Sequence, residues 1–223
     1  MASYVATRSQ PGSSGLNKAL GWLAVVVLAA LGLRFYSAAV SNYIHFDVAH
    51  YDYYWPKKWW LVGHLAGGSL ALLLGPFQFS TALRRRYPKA HRVMGRMYLA
   101  GILLGAISAV YMGLWVSPDR TFGHALLFLA LAWAVTSAMA FTAALRRQFA
   151  VHKEWMIRSY VVTFGFVLFR FGNDDLKLFH GLGGANAAVM NAWFCWAVPL
   201  LFTQVVLDWR RTKSSAGAVR ASE

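Results

Sequence analysis

Six apolar segments of about 20 residues each follow one another along the chain, at about 19–39, 59–80, 93–115, 122–145, 155–172 and 187–207. A helix rises 1.5 Å per residue, so about 20 apolar residues cross the roughly 30 Å hydrocarbon core of a bilayer. Because no water is available there, backbone polar groups must bond within the segment, which favours helices. The segments therefore predict an all-α fold, a six-helix transmembrane bundle.

The composition supports a membrane protein and leaves no room for a separate soluble domain. Hydrophobic residues make up 58% of the 223 residues and charged residues 13%, and a water-soluble fold would expose that apolar surface. We expect a disordered cytoplasmic tail at 1–18, a membrane domain at 19–208 and a basic cytoplasmic tail at 209–223. The first segment is interpreted as a retained helix and not as a signal peptide, because its apolar core is long and Arg34 follows it.

The basic residues predict the orientation of the chain and one class of partner. The formal net charge is +14, and most of the 22 Lys and Arg residues fall on one side if the N-terminus is inside. The positive-inside rule then places both termini in the cytoplasm, with the chain in the cell (inner) membrane. The basic residues flank the apolar segments and form no single polar face, so we expect anionic lipid headgroups as partners, and not nucleic acid. A homodimer is left open.

Two units of the sequence share one pattern, which indicates an internal duplication. Each unit has a Gly-His pair near the start of an apolar segment, then Ala-Leu-Arg-Arg, then a His followed by a basic residue. The first unit has Gly63-His64, Ala82-Leu83-Arg84-Arg85 and His91-Arg92, and the second has Gly123-His124, Ala144-Leu145-Arg146-Arg147 and His152-Lys153. We interpret the units as duplicated helical hairpins, which would form a central four-helix core from the second to the fifth segment.

The duplication predicts two pairs of histidines at two depths in the membrane. His64 and His124 follow the outer ends of their segments, whereas His91 and His152 precede or begin their segments at the inner side. An ionisable residue within a span needs a partner, and the iron of haem b would provide one, since imidazole is a standard axial ligand. We therefore expect two bis-histidine haems, the outer one better supported because the inner histidines precede the most apolar part of their segments.

Two further groups of residues fit haem binding, and each has a plainer alternative. Glycines of the second and third segments could admit a flat macrocycle or merely another helix: they are Gly67, Gly68, Gly75, Gly95, Gly101 and Gly105. Arg96 and Arg158 could pair with haem propionates or extend to lipid headgroups. The inner histidines could also be solvated, and a single histidine in such a segment is more often structural.

Three motifs carry a resemblance to a bacterial family of multi-pass membrane proteins with no established function. The motifs are Gly63-His64 with Leu74-Gly75-Pro76-Phe77-Gln78-Phe79, then His91-Arg92-x-x-Gly95-Arg96-x-Tyr98, then His152-x-x-Trp155-Met156-x-Arg158-Ser159-Tyr160. The resemblance covers about 60–170 and implies no reaction. More distantly, the chain is similar to the six-helix dihaem b-type cytochromes that reduce ferric iron or monodehydroascorbate. That similarity implies one haem between His64 and His124 and one between His91 and His152, although no ascorbate-binding motif is found.

Two outer polar clusters are weaker candidate sites. His45, Asp47, His50 and Asp52 could bind a divalent metal or a ferric chelate, but an ordinary polar loop packed by aromatic residues is the simpler interpretation. Asn173, Asp174, Asp175 and His180, near Arg170, are best explained as a network at a helix end.

The leading hypothesis is a haem-b electron-transfer protein, a transmembrane oxidoreductase of the ferric or quinone-linked type with an unknown electron donor and acceptor. Cys195 is the only cysteine, which excludes an intrachain disulfide, and no hydrolase, nucleotide-binding or zinc-protease motif is present. The alternative is a haem-free transporter, or an assembly or scaffold subunit, in which histidines could relay protons.

Overall fold

The structure, a computed structural model, describes residues 13–37, 41–117 and 119–220. In these residues all regular elements are helical and none is a strand. The α-helices of this part of the chain are α1 (Ser13–Phe35), α2 (Val48–Tyr51), α3 (Lys58–Gln78), α4 (Thr81–Arg86), α5 (Pro88–Tyr111), α6 (Arg120–Leu145), α7 (Phe149–Arg170) and α8 (Gly184–Arg220). The 3-10 turns are Ser41–Ile44, Asp52–Lys57 and His180–Leu182, and π-helical turns extend α5 and α7 over Met112–Val116 and Phe171–Asp175.

Each of the six predicted segments falls largely on a different long helix, which confirms the all-helical fold. Four stretches are long and apolar enough to cross a membrane, namely Val48–Gln78, Pro88–Val116, Arg120–Leu145 and Gly184–Thr212. α7 is not among them because Lys153, Glu154 and Arg158 interrupt its apolar sequence, and α1 has a shorter apolar stretch at Val25–Phe35. Several membrane-spanning helices are therefore confirmed, whereas the count of six stays a prediction.

Helical structure extends into both predicted tails. α1 begins at Ser13, within the tail expected at 1–18, and α8 continues to Arg220, through most of the tail expected at 209–223. Arg and Ala, which are good helix formers, occur repeatedly in the second tail. Residues 1–12 and 221–223 lie outside the described residues.

The two ends of the bundle differ in chemistry. α3, α5, α6 and α7 run antiparallel to their chain neighbours, so the α3–α5 and α6–α7 connections lie at one end. We call this the basic end, because it carries Arg84, Arg85, Arg86, Arg146 and Arg147. The opposite end, which we call the aromatic end, carries the segment 41–57 with its Tyr and Trp side chains.

The largest core cluster lies where α3, α5, α6 and α7 meet. Its buried residues are Ala71 from α3, Tyr98, Ile102 and Ala106 from α5, Leu129, Trp133 and Ala140 from α6, and Met156 and Val162 from α7. α1 packs on α3 and α7 through Leu31 and Phe35, and α8 packs on α6 and α7 through Ala192 and Cys195. Because lipid tails are as apolar as these side chains, close packing and not water exclusion holds such helices together.

Glycines bring α3 and α5 into backbone contact. A Cβ atom at Gly67 would lie 2.4 Å from the carbonyl oxygen of Gly101 and 2.6 Å from the amide nitrogen of Gly105. This close approach is typical of small-residue seams between membrane helices. The simpler interpretation, helix packing, therefore holds for Gly67, Gly101 and Gly105. Gly75 likewise packs on the ring of Tyr160.

Candidate ligand cavity in the membrane core

A cavity of about 360 Å³ lies among α3, α6 and α7 towards the aromatic end. Its walls are mostly apolar, with Leu65, Leu129 and Phe166 among them. A few polar side chains also line it, and they are Tyr43, Tyr54, His64, Ser69, Ser117, Thr163 and Arg170. Both the volume and this mixture, an apolar wall with few polar groups, are typical of small-molecule sites.

His64 is held in the cavity wall by a backbone group of the neighbouring helix. Its Nδ1 atom lies 3.0 Å from the carbonyl oxygen of Gly105, and the ring of Phe166 packs edge-on with centroids 5.7 Å apart. A carbonyl oxygen only accepts hydrogen bonds, so Nδ1 carries the proton and Nε2 keeps the lone pair. The α3–α5 glycine seam makes the bond available, because a larger residue at Gly67 would move α3 away from Gly105.

His124 does not share the cavity with His64. It is exposed, and it is not among the residues that line the cavity. The preceding Gly123 packs against Gly113, where a Cβ atom would lie 2.2 Å from the Gly113 carbonyl oxygen. Successive residues are about 100° apart around a helix, so this contact turns His124 away from the bundle. The predicted outer bis-histidine pair is thus not brought together.

The two histidines of the basic end lie near each other. His152 Nδ1 donates to the carbonyl oxygen of Ala140 at 2.8 Å, which again leaves Nε2 with its lone pair. His152 and Arg84 both lie close enough to His91 to act on it electrostatically, and the buried Nδ1 atom of His91 has no hydrogen-bond partner in the described part of the chain. Neither histidine lines the cavity beside His64.

Arg96 and Arg158 are also absent from the cavity wall. Arg96 is exposed, whereas Arg158 is only 7% exposed and donates to Gln204 Oε1 from Nε at 3.1 Å and from Nη2 at 2.6 Å. Its Nη1 atom lies 3.7 Å from Glu154, and its guanidinium carbon lies 4.8 Å from the centroid of the Trp155 ring. Arg158 therefore links α7 to α8, and neither arginine reaches a propionate in this cavity.

A buried hydrogen-bond network crosses the core beside the cavity. Tyr98 Oη lies 2.8 Å from Ser159 Oγ and 3.1 Å from Thr163 Oγ1, and Trp133 Nε1 donates to Thr163 Oγ1 at 2.8 Å. Ser137 Oγ lies 2.8 Å from Ser159 Oγ. In the sequence, Tyr98 and Ser159 stand out only as motif residues, and the pattern does not predict this network, because serine and threonine in membrane helices often bond merely to their own backbone.

The outer polar clusters are held by local bonds. His45 and His50 stack with centroids 4.7 Å apart, and Asp47 caps α2 and accepts from His50 Nδ1 at 2.8 Å. The bond to the His50 side chain lowers the pKa of Asp47. Within 13–37, 41–117 and 119–220, no group of three or more His, Cys, Asp and Glu side chains is arranged to hold a metal ion, so the metal hypothesis for this loop has no support.

The second cluster forms the predicted network at a helix end. Arg170 Nε lies 3.1 Å from Asp174 Oδ2, and Arg34 Nη2 lies 2.7 Å from Asp175 Oδ1. The second ion pair joins α1 to the π-helical end of α7. Of these four residues, Arg170 also lines the cavity.

A family model described as "Predicted membrane protein (DUF2306)" matches residues 61–207. The chain belongs to this family. The DUF2306 match runs from α3 into α8, so it includes the four histidines of the repeat and most of the cavity wall. No curated protein and no solved structure matches the chain. The predicted membrane-protein family is confirmed, and the comparisons lend no support to the more distant similarity to dihaem cytochromes.

Proposed function

We propose that this DUF2306 protein binds a small, largely apolar ligand within the membrane, in the cavity beside His64. The observation that carries the proposal is the orientation of His64, which lines the cavity while its Nδ1 atom is bonded to the Gly105 carbonyl. Only Nε2 is then left to contact a ligand. A backbone carbonyl on the second ring nitrogen is the usual way in which proteins orient a histidine that binds a metal.

We propose haem b as this ligand, with electron transfer as the function. Nε2 of His64 would hold the iron, the apolar wall would exclude water, and Arg170 would offer positive charge to a propionate. When bound, haem b would supply one-electron chemistry, and a quinol or a soluble reductant would deliver the electron. One haem at His64 is proposed in place of the two expected, because His124 is exposed and the other two histidines lie outside the cavity.

The experiment is a pyridine haemochrome assay and a reduced-minus-oxidised spectrum of the purified protein. We expect about one haem per chain, lost in His64→Gly and restored when imidazole is added to that variant. His124→Gly is the matched control, since it removes the same side chain from an exposed position and should keep the spectrum. If both variants lose haem equally, the bis-histidine model is favoured instead. If the wild-type protein contains no haem even when it is produced with ample haem, haem b is refuted as the ligand.

A haem-free transporter or assembly subunit is the second candidate, and a different observation favours it. Tyr43, Tyr54 and Ser69 also line the cavity, so its wall carries hydroxyl groups that a polar substrate would use and that haem would not need. In that case the protein would purify without haem, and pH-dependent uptake of its substrate would be lost in His64→Ala. Uptake that His64→Ala leaves unchanged would refute the transporter role for this cavity.

We also propose that the basic end faces the cytoplasm of the cell that carries the chain in its inner membrane. The support is the concentration of arginine in the α4 loop and in the α6–α7 turn, which the positive-inside rule assigns to the inner side. A fluorescent reporter fused after residue 223 should be active in the cytoplasm, whereas an alkaline phosphatase fused there should be inactive. The reverse result would invert the orientation.

A further inference from the structure

Two buried side-chain nitrogens near the basic end have no hydrogen-bond partner among the described residues. They are Nε2 of Gln78, at the end of α3, and Nδ1 of His91, in the first turn of α5. Leaving a buried donor unpaired destabilises the folded protein. Native structures rarely contain buried polar atoms without a hydrogen-bond partner, so each of these two nitrogens needs an explanation.

Gln78 and His91 belong to one seam between α3 and α5. Oε1 of Gln78 lies 3.1 Å from where a Cβ atom of Gly95 would be, which places the Gln78 amide directly over α5. His91 is four residues before Gly95, so the two lie on the same face of α5, one turn apart. The two unpaired nitrogens are therefore contributed to one seam by two different helices.

The surroundings of this seam are positively charged. Arg84 of α4 carries a positive charge that acts electrostatically on His91. The nearby carboxylates are already engaged, because Glu154 pairs with Arg158 and Arg211, and Asp208 accepts from Gln204. Tyr87 provides no side-chain cap at the N-terminus of α5. The partial positive charge of this helix end therefore adds to the positive potential around the seam.

We propose that this seam binds a phosphate group, held by the Gln78 amide, by Nδ1–H of His91 and by the guanidinium of Arg84. Tetrahedral phosphate oxygens can accept from several donors that arrive from different helices, and arginine is a preferred partner for phosphate. Gln78 and His91 lie near the ends of two stretches that are long and apolar enough to cross a membrane, Val48–Gln78 and Pro88–Val116, which is the depth expected for lipid headgroups. The phosphate could belong to a phospholipid or to a soluble molecule. The site is separate from the cavity beside His64 and does not depend on its function.

The test measures thermal unfolding of the delipidated full chain in a non-ionic detergent. Three probes are titrated separately: phosphatidylglycerol, a diacylglycerol that lacks the phosphate, and inorganic phosphate. We expect phosphatidylglycerol or inorganic phosphate to stabilise the protein at low concentration, and diacylglycerol to have no effect. Stabilisation by the lipid alone would identify a headgroup, and stabilisation by both would identify a site open to soluble phosphates.

Gln78→Leu is the decisive variant, because it removes the donor and nearly keeps the volume. A hydrogen bond to a charged group contributes about 1.5–3 kcal/mol, so the half-saturating concentration should rise roughly tenfold or more. Gln148→Leu is the matched control, since Gln148 is exposed at the same end and makes no side-chain cap on α7. That control should bind like the wild type.

Three results would overturn the proposal. One is a wild-type protein that responds to neither phosphate source, a measurement that needs no variant to fold. Another is equal binding by Gln78→Leu and Gln148→Leu. The third is loss of a haem spectrum in His91→Ala but not in His64→Ala, since that would mean that haem, and not phosphate, binds at the seam. If the wild-type protein lacks haem but still binds phosphate here, the proposed function of the His64 cavity fails while this proposal stands.

Discussion

The seam between α3 and α5 predicts opposite effects for one substitution at two adjacent glycines. In Gly67→Ala, the new Cβ atom would lie 2.4 Å from the Gly101 carbonyl oxygen and 2.6 Å from the Gly105 nitrogen, where ordinary contact begins at 3.4 Å. Both contacts are backbone atoms, which cannot rotate away, so α3 must withdraw by roughly 1 Å, a typical overpacking displacement. In Gly68→Ala, no atom of the described residues outside the local backbone lies within 4 Å of the new group.

The magnitudes follow from three contributions to the free energy of unfolding. Alanine is favoured over glycine in a helix interior by up to about 1 kcal/mol, and at Gly68 this is the main effect. At Gly67 the same gain is opposed by overpacking, which costs about 1–3 kcal/mol, and by strain on the His64–Gly105 hydrogen bond, which contributes about 1 kcal/mol. We expect Gly68→Ala to be slightly stabilised and Gly67→Ala to lose about 1–3 kcal/mol.

The assay uses the only cysteine of the chain. Cys195 is 6% exposed, so a thiol-reactive dye labels it when the bundle opens on heating. For a chain of this size each kcal/mol shifts the midpoint by about 2–4 °C, so the two variants should differ by roughly 5–10 °C. Equal midpoints, or a Gly67→Ala protein more stable than the wild type, would refute the backbone contact between α3 and α5.

The remaining predictions use the same assay. Tyr98→Phe should cost about 1–2 kcal/mol, because it removes the hydroxyl shared with Ser159 without creating a cavity, and an unchanged midpoint would mean that the network adds no stability. Arg158→Met should cost about 1–3 kcal/mol, since Gln204 loses its partner, whereas Arg96→Met should change stability by less than about 0.5 kcal/mol. Similar losses from the two arginine variants would contradict their different burial.

The helical fold could be predicted because the length of an apolar segment is a property of the sequence alone. About 20 apolar residues must form a helix to cross a bilayer, whatever surrounds them. The rotation of each helix about its own axis could not be predicted in this way. It depends on which neighbour approaches closest, and in α6 the contact between Gly113 and Gly123 decides that His124 faces outward. The repeat therefore indicates which end of the bundle each histidine lies near, but not the direction in which its side chain points.

The same limit explains why equivalent residues of the two hairpins differ. Arg96 and Arg158 occupy matching motif positions, but α8 packs on α7 and supplies Gln204 to Arg158 alone, while Arg96 stays exposed. His64 and His124 diverge similarly, since only His64 faces a helix whose carbonyl it can reach. Each difference arises from the neighbouring helix and not from the motif itself. Paired substitutions at repeat-equivalent positions are therefore the most informative experiments on this chain, because they keep the residue type and change only its surroundings.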